Sequence, residues 1–287
     1  MRYFVAVAKE ENIHRASETI HISPGSLSKA ISRLEDELGV RLFFRQGRNI
    51  KLTPEGQIFK RRAQQIIGLE EDARLELGGK NGSIQITLGA EEVLLTKFGI
   101  DLCKKIQKSY SQSQFQLLSL SDKKVIELIE NGDLHFGLIS SEVPNGFHAI
   151  KLSEVEFKTC AARDHEIFKD YSPSSKIPVE EVLKYAFVLP EHAMLGKIHA
   201  SASSDGWRDD KFKRKQKYFA PSLKVIEQFV TMGEALAYLP DYYIKQLDFI
   251  PLKIVGCPYT CKQSIKIVCK EPERLGWISR VWSSLAP

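Results

Sequence analysis

Cysteine is scarce in this chain and forms no framework. The five residues, at 103, 160, 257, 261 and 269, are odd in number and irregularly spaced. That argues against a disulfide scaffold and suits a reducing compartment. No signal peptide is legible at the amino end, so a cytoplasmic location is expected. Cys257 and Cys261 in CPYTC have no second ligand pair after them, and they read as small buried hydrophobes rather than zinc ligands. Long apolar runs are missing too: none approaches ~18 residues, so no membrane span and no membrane partner are expected. The seven histidines contain no HExxH pair, no GxSxG precedes a helix, and no glycine-rich phosphate loop follows the first strand. Neither catalysis nor a cofactor is therefore expected. His165 in ARDHEIF has no nucleophile or orienting partner at recognisable spacing and reads as a surface or boundary residue.

Charge is present and unevenly placed. The formal net charge is +5 over 287 residues. Residues 1–66 carry 12 Lys/Arg and 7 Asp/Glu, whereas residues 67–287 carry 29 of each. The first quarter holds the whole excess, which points to an anionic polymer partner there. A chain of this length is expected to divide into two or three domains.

MRYFVAVAK at the start reads as a helix, and IHRASETI as a second, with Asn12 as its N-cap. Ser23 followed by Pro24 is a strong third helix start, and Gly39 a stop. In between, Leu27, Ile31, Leu34 and Leu38 form a buried stripe. Ser26, Ser28, Lys29, Ser32 and Arg33 lie largely off it, while Glu35, Asp36 and Glu37 are held back to the last turn. Such a split suits a helix entering a major groove by its first half, with its acidic end turned away from the phosphates. RLFFRQGRNIKLT then reads as a hairpin around QGRN. Leu42, Phe43 and Leu52 would cover the core, leaving Arg45, Arg48 and Lys51 for phosphates. Three helices and a basic hairpin make a winged helix-turn-helix over residues 1–53.

LSKAISRLEDELGVRLFFRQGRNIKLTPEG, with FVAVAKEENIHRASETIHIS before it, closely resembles the DNA-binding domain of LysR-type transcriptional regulators. The family's long spaced pattern is matched from Ser28 to Gly56. Pro24 stands where the family often has glutamine, which moves specificity toward Ser26, Ser28, Lys29, Ser32 and Arg33. The resemblance also places Met1 inside the family's first helix, about half a dozen residues short of its usual start.

From Pro54, PEGQIFKRRAQQIIGLEEDARLELGG reads as a helix of about 24 residues, roughly 36 Å long. Phe59, Ala63, Ile66, Ala73 and Leu77 fall near heptad positions, interrupted by Glu70. A second copy is the economical partner for that stripe, and the resemblance implies the same: a dimerising linker helix over 54–79. Lys60, Arg61 and Arg62 stand at its DNA-proximal end, available to phosphates.

Beyond the linker, strands and helices alternate from GSIQITLG through LHFGLIS, then resume with VEFKTCAA, AFVLP, KYFAPS and ALAYLP, and close with SIKIVC and a helix. Alternation of this kind predicts parallel sheets covered by helices. Two α/β subdomains joined by two crossovers are expected within 82–287: subdomain I from 84–155 plus 262–287, and subdomain II from 156–261. The resemblance implies an effector-binding domain like a periplasmic solute-binding protein. IEQFVTMGEALAYLP matches a family segment through Val230, Gly233, Leu239 and Pro240, with Ala235 replacing a glycine. GDLHFGLIS carries His135 where aspartate is usual. The expected fold is thus an α+β winged helix-turn-helix, a long linker helix, and two α/β subdomains resembling periplasmic solute-binding proteins.

Ligands in such sheets bind beyond the carboxyl ends of strands, between the subdomains. That nominates Glu91, Glu92, Ser140, Ser141, His192 and Gly233. The resemblance implies recognition of small carboxylates by Ser, Thr and backbone N–H groups in the first loop. Here Glu91 and Glu92 occupy it, which favours a cationic or neutral polar effector. The basic run KFKRKQK, preceded by Asp205, Asp209 and Asp210, reads as a solvated loop. The leading expectation is a DNA-binding regulator of LysR type. Its partners are double-stranded promoter DNA, itself as homodimer or homotetramer, a small-molecule effector and RNA polymerase. A small-molecule binding protein or enzyme that uses its amino-terminal module only for assembly is the alternative, as is a regulator without effector control.

Overall fold

Arg2–Glu10 forms α1, with Phe4, Val7 and Ala8 turned inward. It ends where Glu11 adopts the left-handed conformation at φ 47° and its amide closes on the Val7 carbonyl. Asn12 caps α2 (Ile13–Thr19), accepting the His14 and Arg15 amides at 3.0 and 3.2 Å. Ser23 caps α3 (Pro24–Leu38) through the Ser26 amide, and Gly39 ends that helix at φ 67°. A computed structural model describes the chain except for residue 48 and residues 79–83, 196–202, 274–275 and 286–287, and except for the side chains of residues 71, 72, 75, 76 and 78.

The α3 stripe is shorter than expected. Leu27 and Ile31 are buried and Leu34 packs beside them, but Leu38 is 43% exposed. Glu35 is buried instead. Its carboxylate accepts the Leu42 and Phe43 amides at 2.8 and 3.1 Å and the Arg41 guanidinium at 2.7 Å. One residue of the acidic last turn is therefore internal and ties α3 to the wing. The wing is the antiparallel pair β1 (Phe43–Gln46) and β2 (Asn49–Leu52), and Leu42, Phe43 and Leu52 close the core as expected. Gly56, in the first turn of α4 (Pro54–Gly78), crosses the Leu42 carbonyl so closely that a Cβ would lie 2.1 Å from its oxygen. Only glycine fits there.

The 25 residues of α4 correct the heptad assignment. Ala63 is fully buried, and Phe59 sits edge-on against Phe4 with ring centroids 4.9 Å apart. Both complete the core of their own module, because the start of α4 is its fourth wall. Lys60 is also turned inward, 6% exposed, with Nζ 2.7 Å from Asp133 Oδ2. It is not available to phosphates. Ile58, Ile66, Leu69, Ala73 and Leu77 remain exposed, and at helical spacing they lie on one face.

The rest of the chain runs β3 (Gln85–Ala90), α5 (Glu92–Leu94), a π turn into α6 (Ile100–Gln107), β4 (Gln114–Ser119), α7 (Asp122–Glu130), β5 (Phe136–Ile139), β6 (His148–Ala161), β7 (Lys176–Pro178), α8 (Val179–Val182), β8 (Ala186–Pro190), β9 (Lys215–Ala220), α9 (Leu223–Thr231), β10 (Ala237–Pro240), α10 (Asp241–Gln246), β11 (Ile250–Pro251), β12 (Lys253–Val255), β13 (Lys262–Cys269) and α11 (Gly276–Leu285). β3 pairs in parallel with β4 and β5, and β8 with β9. One sheet runs β10-β6-β13-β5-β3-β4, with β11 also on β6. β6 and β13 are the two crossovers, and they lie side by side. Residues 148–156 of β6 pair with β13, and residues 157–160 pair with β10. The two subdomains are thus joined by continuous strands rather than by loops.

Two side chains depart from expectation. Arg214, within KFKRKQK, is fully buried. It pairs with Asp205 and Asp209 at 2.7 Å each, and lies 5.2 and 5.3 Å from the Phe187 and Trp207 ring centroids. The acidic residues before the run pin it from inside. His165 is buried rather than superficial, and its Nδ1 accepts the Ile167 amide at 3.1 Å. Cys160, Cys261 and Cys269 are buried, and all five cysteines are free thiols. Among the described residues no His/Cys/Asp/Glu group suits a metal ion, and no helix is long and apolar enough to cross a membrane.

Candidate nucleic-acid interface and effector cleft

α3 presents its polar half outward. Ser26, Ser28, Lys29, Ser32 and Arg33 are all exposed, opposite buried Leu27, Ile31 and Glu35. The Ser23 hydroxyl donates to the Ser26 hydroxyl at 2.9 Å, which orders the first turn. Arg45 is exposed on β1, whereas Lys51 on β2 forms an ion pair with Glu11. Arg48 lies outside the described residues. The wing is further fixed to α1 by the Ile50 amide, which donates to the Glu11 carbonyl at 3.1 Å. Burial works against the charge of Glu35, but Arg41 and the Leu42 and Phe43 amides outweigh it and hold the carboxyl below the usual range. A rigid scaffold thus stands behind a small-residue, basic face.

A second site opens between the subdomains. A cavity of about 350 Å³ is lined by Glu91 and Glu92 after β3, Ser119 at the end of β4 and Ser121 after it, His192 after β8, and Ser222 after β9. Each of those four strands runs in parallel with a neighbour, so the loops meet at the carboxyl ends. Glu92 reaches across and accepts the Leu223 amide at 3.2 Å, capping α9 from the other subdomain. Burial pushes the Glu91 carboxyl up to about 7, and the neighbouring charge of Asp122 adds to the shift. Asp122 is itself buried: Oδ2 accepts the Ser140 and Ser141 amides at 3.0 and 2.9 Å, and Oδ1 has no partner.

Of the residues nominated from sequence, Glu91, Glu92 and His192 are brought together. Ser140 and Ser141 stand one layer behind, their amides given to Asp122 and their carbonyls accepting Lys266 Nζ at 3.4 and 2.8 Å. Gly233 does not line the cavity. It follows the far end of α9 at φ 69°, beside Asp164 and His165, because α9 begins at the cleft and carries the chain away. Ser119, Ser121 and Asp122 were missed, although the strand-end rule applied to FQLLSL would have found them. His135 is structural. Its Nδ1 accepts the Thr87 amide at 3.0 Å, and burial pushes it down to about 4.

The assembly of winged helix-turn-helix, linker and two-lobed domain defines a class, and comparison with known proteins supplies the family. Residues 1–57 match the bacterial regulatory helix-turn-helix protein, lysR family, and residues 80–275 match the LysR substrate binding domain. The chain belongs to the LysR family, whose members are regulators rather than enzymes. It is similar to the HTH-type transcriptional regulator YybE of Bacillus subtilis, 31% identical over 192 residues, covering 66% of this chain and 64% of YybE. The matched stretch is thus less than two thirds of that relative. A full-length OxyR variant from Pseudomonas aeruginosa shares the fold at TM-score 0.65 and 19% identity, covering 99% of this chain and 91% of that one. Full-length LysG from Corynebacterium glutamicum, solved with bound effector Arg, does so at TM-score 0.61 and 16% identity, covering 99% and 95%.

Proposed function

We propose that this protein is a sequence-specific regulator of transcription that binds promoter DNA as an oligomer, under control of a small molecule held between its subdomains. Residues 1–53 bind DNA, 54–79 join two copies, and 82–287 sense the effector and contact RNA polymerase. The single observation that carries the DNA reading is the exposed half of α3, where three serines allow close approach beside Lys29 and Arg33. Arg45 on the wing supplies a phosphate contact. Binding-site selection on the parent and on Lys29→Ala and Arg33→Ala tests it. Each lost bidentate base contact should flatten discrimination by ~1–3 kcal/mol while leaving nonspecific binding intact. Selected motifs identical to the parent's in both variants would remove α3 from base reading.

For the cleft, we infer a small polar effector bearing a cationic group. Glu91 lines the cavity, where burial and the charge of nearby Asp122 both work against its ionisation, and a bound ammonium or guanidinium offsets that. The LysG structure with arginine is a cationic case on the same fold. Thermal-shift screening of the full chain against amines, amino acids, sugars and organic acids tests this. Stabilisation only by dianions, unchanged in Glu91→Gln, would overturn the charge assignment.

A further inference from the structure

Among the described residues a cavity larger than the cleft lies elsewhere. About 460 Å³ lies between α4 and the base of subdomain I, with its apolar floor made by Ile129, Leu134, Trp277 and Ile278. The facing wall is α4 itself, through Ile67 and the basic pair Arg61 and Arg62. Lys270 completes the cationic rim, and Glu130 and Glu271 are its carboxylates. Lys270 is engaged by Glu130 at 3.1 Å, and Arg62 donates to Gln65 at 3.1 Å. Arg61 is exposed at the mouth. Beside this space the two walls are bolted together by Lys60 and Gln64, which reach Asp133 at 2.7 and 3.3 Å. Gly132 packs so closely on Gln64 that a Cβ would lie 2.6 Å from its side-chain oxygen. The cavity is therefore the open half of a built junction.

We propose that this junction is a second small-molecule site, separate from the cleft, for an apolar carboxylate of one or two rings. The volume falls within the range of ligand pockets, and an apolar floor under a basic mouth matches a flat hydrophobic body with one anionic head. Its occupant touches the linker helix and the effector domain at once. Occupancy acts directly on the angle between them, and so on the spacing of the DNA-binding modules, without passing through the cleft.

Isothermal titration of the full chain with 2-naphthoate tests the site. The parent takes up one equivalent per chain. Arg61→Gln weakens uptake about tenfold or more by removing the head-group partner, and Ile67→Trp weakens it by filling the space from the linker side. Neutral 2-naphthamide binds the parent about tenfold more weakly than naphthoate and no longer distinguishes parent from Arg61→Gln. Ala193→Trp, which blocks the cleft, leaves naphthoate uptake unchanged. The proposal is overturned if the parent takes up no naphthoate, if Arg61→Gln binds it as tightly as the parent, or if Ala193→Trp abolishes uptake. Because arginine or another cleft probe is scored separately, failure here leaves the cleft reading standing.

Discussion

Lys60 and Asp133 meet at 2.7 Å although 73 residues separate them. The lysine comes from the linker helix and the aspartate from the turn after α7, so the pair fastens the DNA-reading half to subdomain I. The lysine side is nearly enclosed. Removing only the aspartate leaves a buried, unpaired cation, which costs about 3 kcal/mol. Asp133→Ala should therefore lower thermal stability more than Lys60→Met, and the double variant should recover most of the loss. A double-mutant cycle by chemical denaturation checks it. Equal, additive losses would mean the pair contributes no coupling.

The dimer seam is expected on the exposed face of α4. Leu69→Asp or Ile66→Asp should cost several kcal/mol of association by placing a charge against a desolvated partner. Sedimentation over a dilution series measures this. Phe59→Ala should behave differently: it loses contact with Phe4 and destabilises the module by roughly 3 kcal/mol, with little effect on association. Dissociation of Phe59→Ala with unchanged folding would reverse the assignment.

Neutral His135 makes stability depend on acid. Its folded value, about 4, lies below the ordinary 6.5, so the unfolded chain takes up the proton first. The contribution is complete above about pH 6.5 and falls as pH drops toward 4. Between pH 7.5 and 5 this site alone should lose about 2 kcal/mol. Urea midpoints for the parent and His135→Asn at both pH values isolate the effect, since the variant lacks this component of the decline.

Glu91 is shifted the other way, upward, and makes the cleft pH-dependent. With its carboxyl pushed up to about 7, it is mostly neutral at pH 6 and mostly charged at pH 8. Affinity for a cationic cleft ligand such as arginine should rise by roughly tenfold across that interval. In Glu91→Gln the rise should vanish. Calorimetry in two buffers of different ionisation enthalpy would also register the proton released from Glu91 on binding. A flat profile in the parent would place the ligand's cation elsewhere.

Glu35 serves the DNA module in a way the charge pattern concealed. Its value is depressed, so its contribution is present above about 4.5 and disappears as pH falls through the lower folded value. Glu35→Gln should cost roughly 2 kcal/mol near neutrality, because one hydrogen-bonding charge is replaced by a neutral amide. Hydrogen exchange of the Leu42 and Phe43 amides in the full chain, parent against variant, resolves this without interference from the larger domain. Unchanged protection of both amides would remove Glu35 from the wing's support.

Local signals were legible wherever a single residue type enforces the geometry. Asn12, Ser23, Pro24 and Gly39 fix the helix ends, and the alternation after residue 84 fixes the class of the large domain. Long-range allegiances were not. Phe59, Ala63 and Lys60 read as surface or seam positions because nothing near them reveals that α1 and Asp133 cover them. The first half of β6 was missed because residues 148–154 are exposed or half-buried and carry little apolar alternation. Arg214 looked solvated for the same reason: burial of a charge depends on partners, here Asp205 and Asp209, that only folding brings into place. In the cleft, the loops were identifiable from strand ends, but which serines face inward depended on the register of β4 and β5.

The helix α7 begins with Asp122 beside Glu91 and is followed at once by Asp133 on Lys60. Nine helical residues span about 14 Å, so one rigid strut has an anchorage in each compartment. Inserting a single residue into it would rotate everything beyond by about 100° and advance it by about 1.5 Å, carrying Asp133 off its lysine while Asp122 stayed in place. The strut between the cleft and the linker therefore has a length that its two anchorages fix.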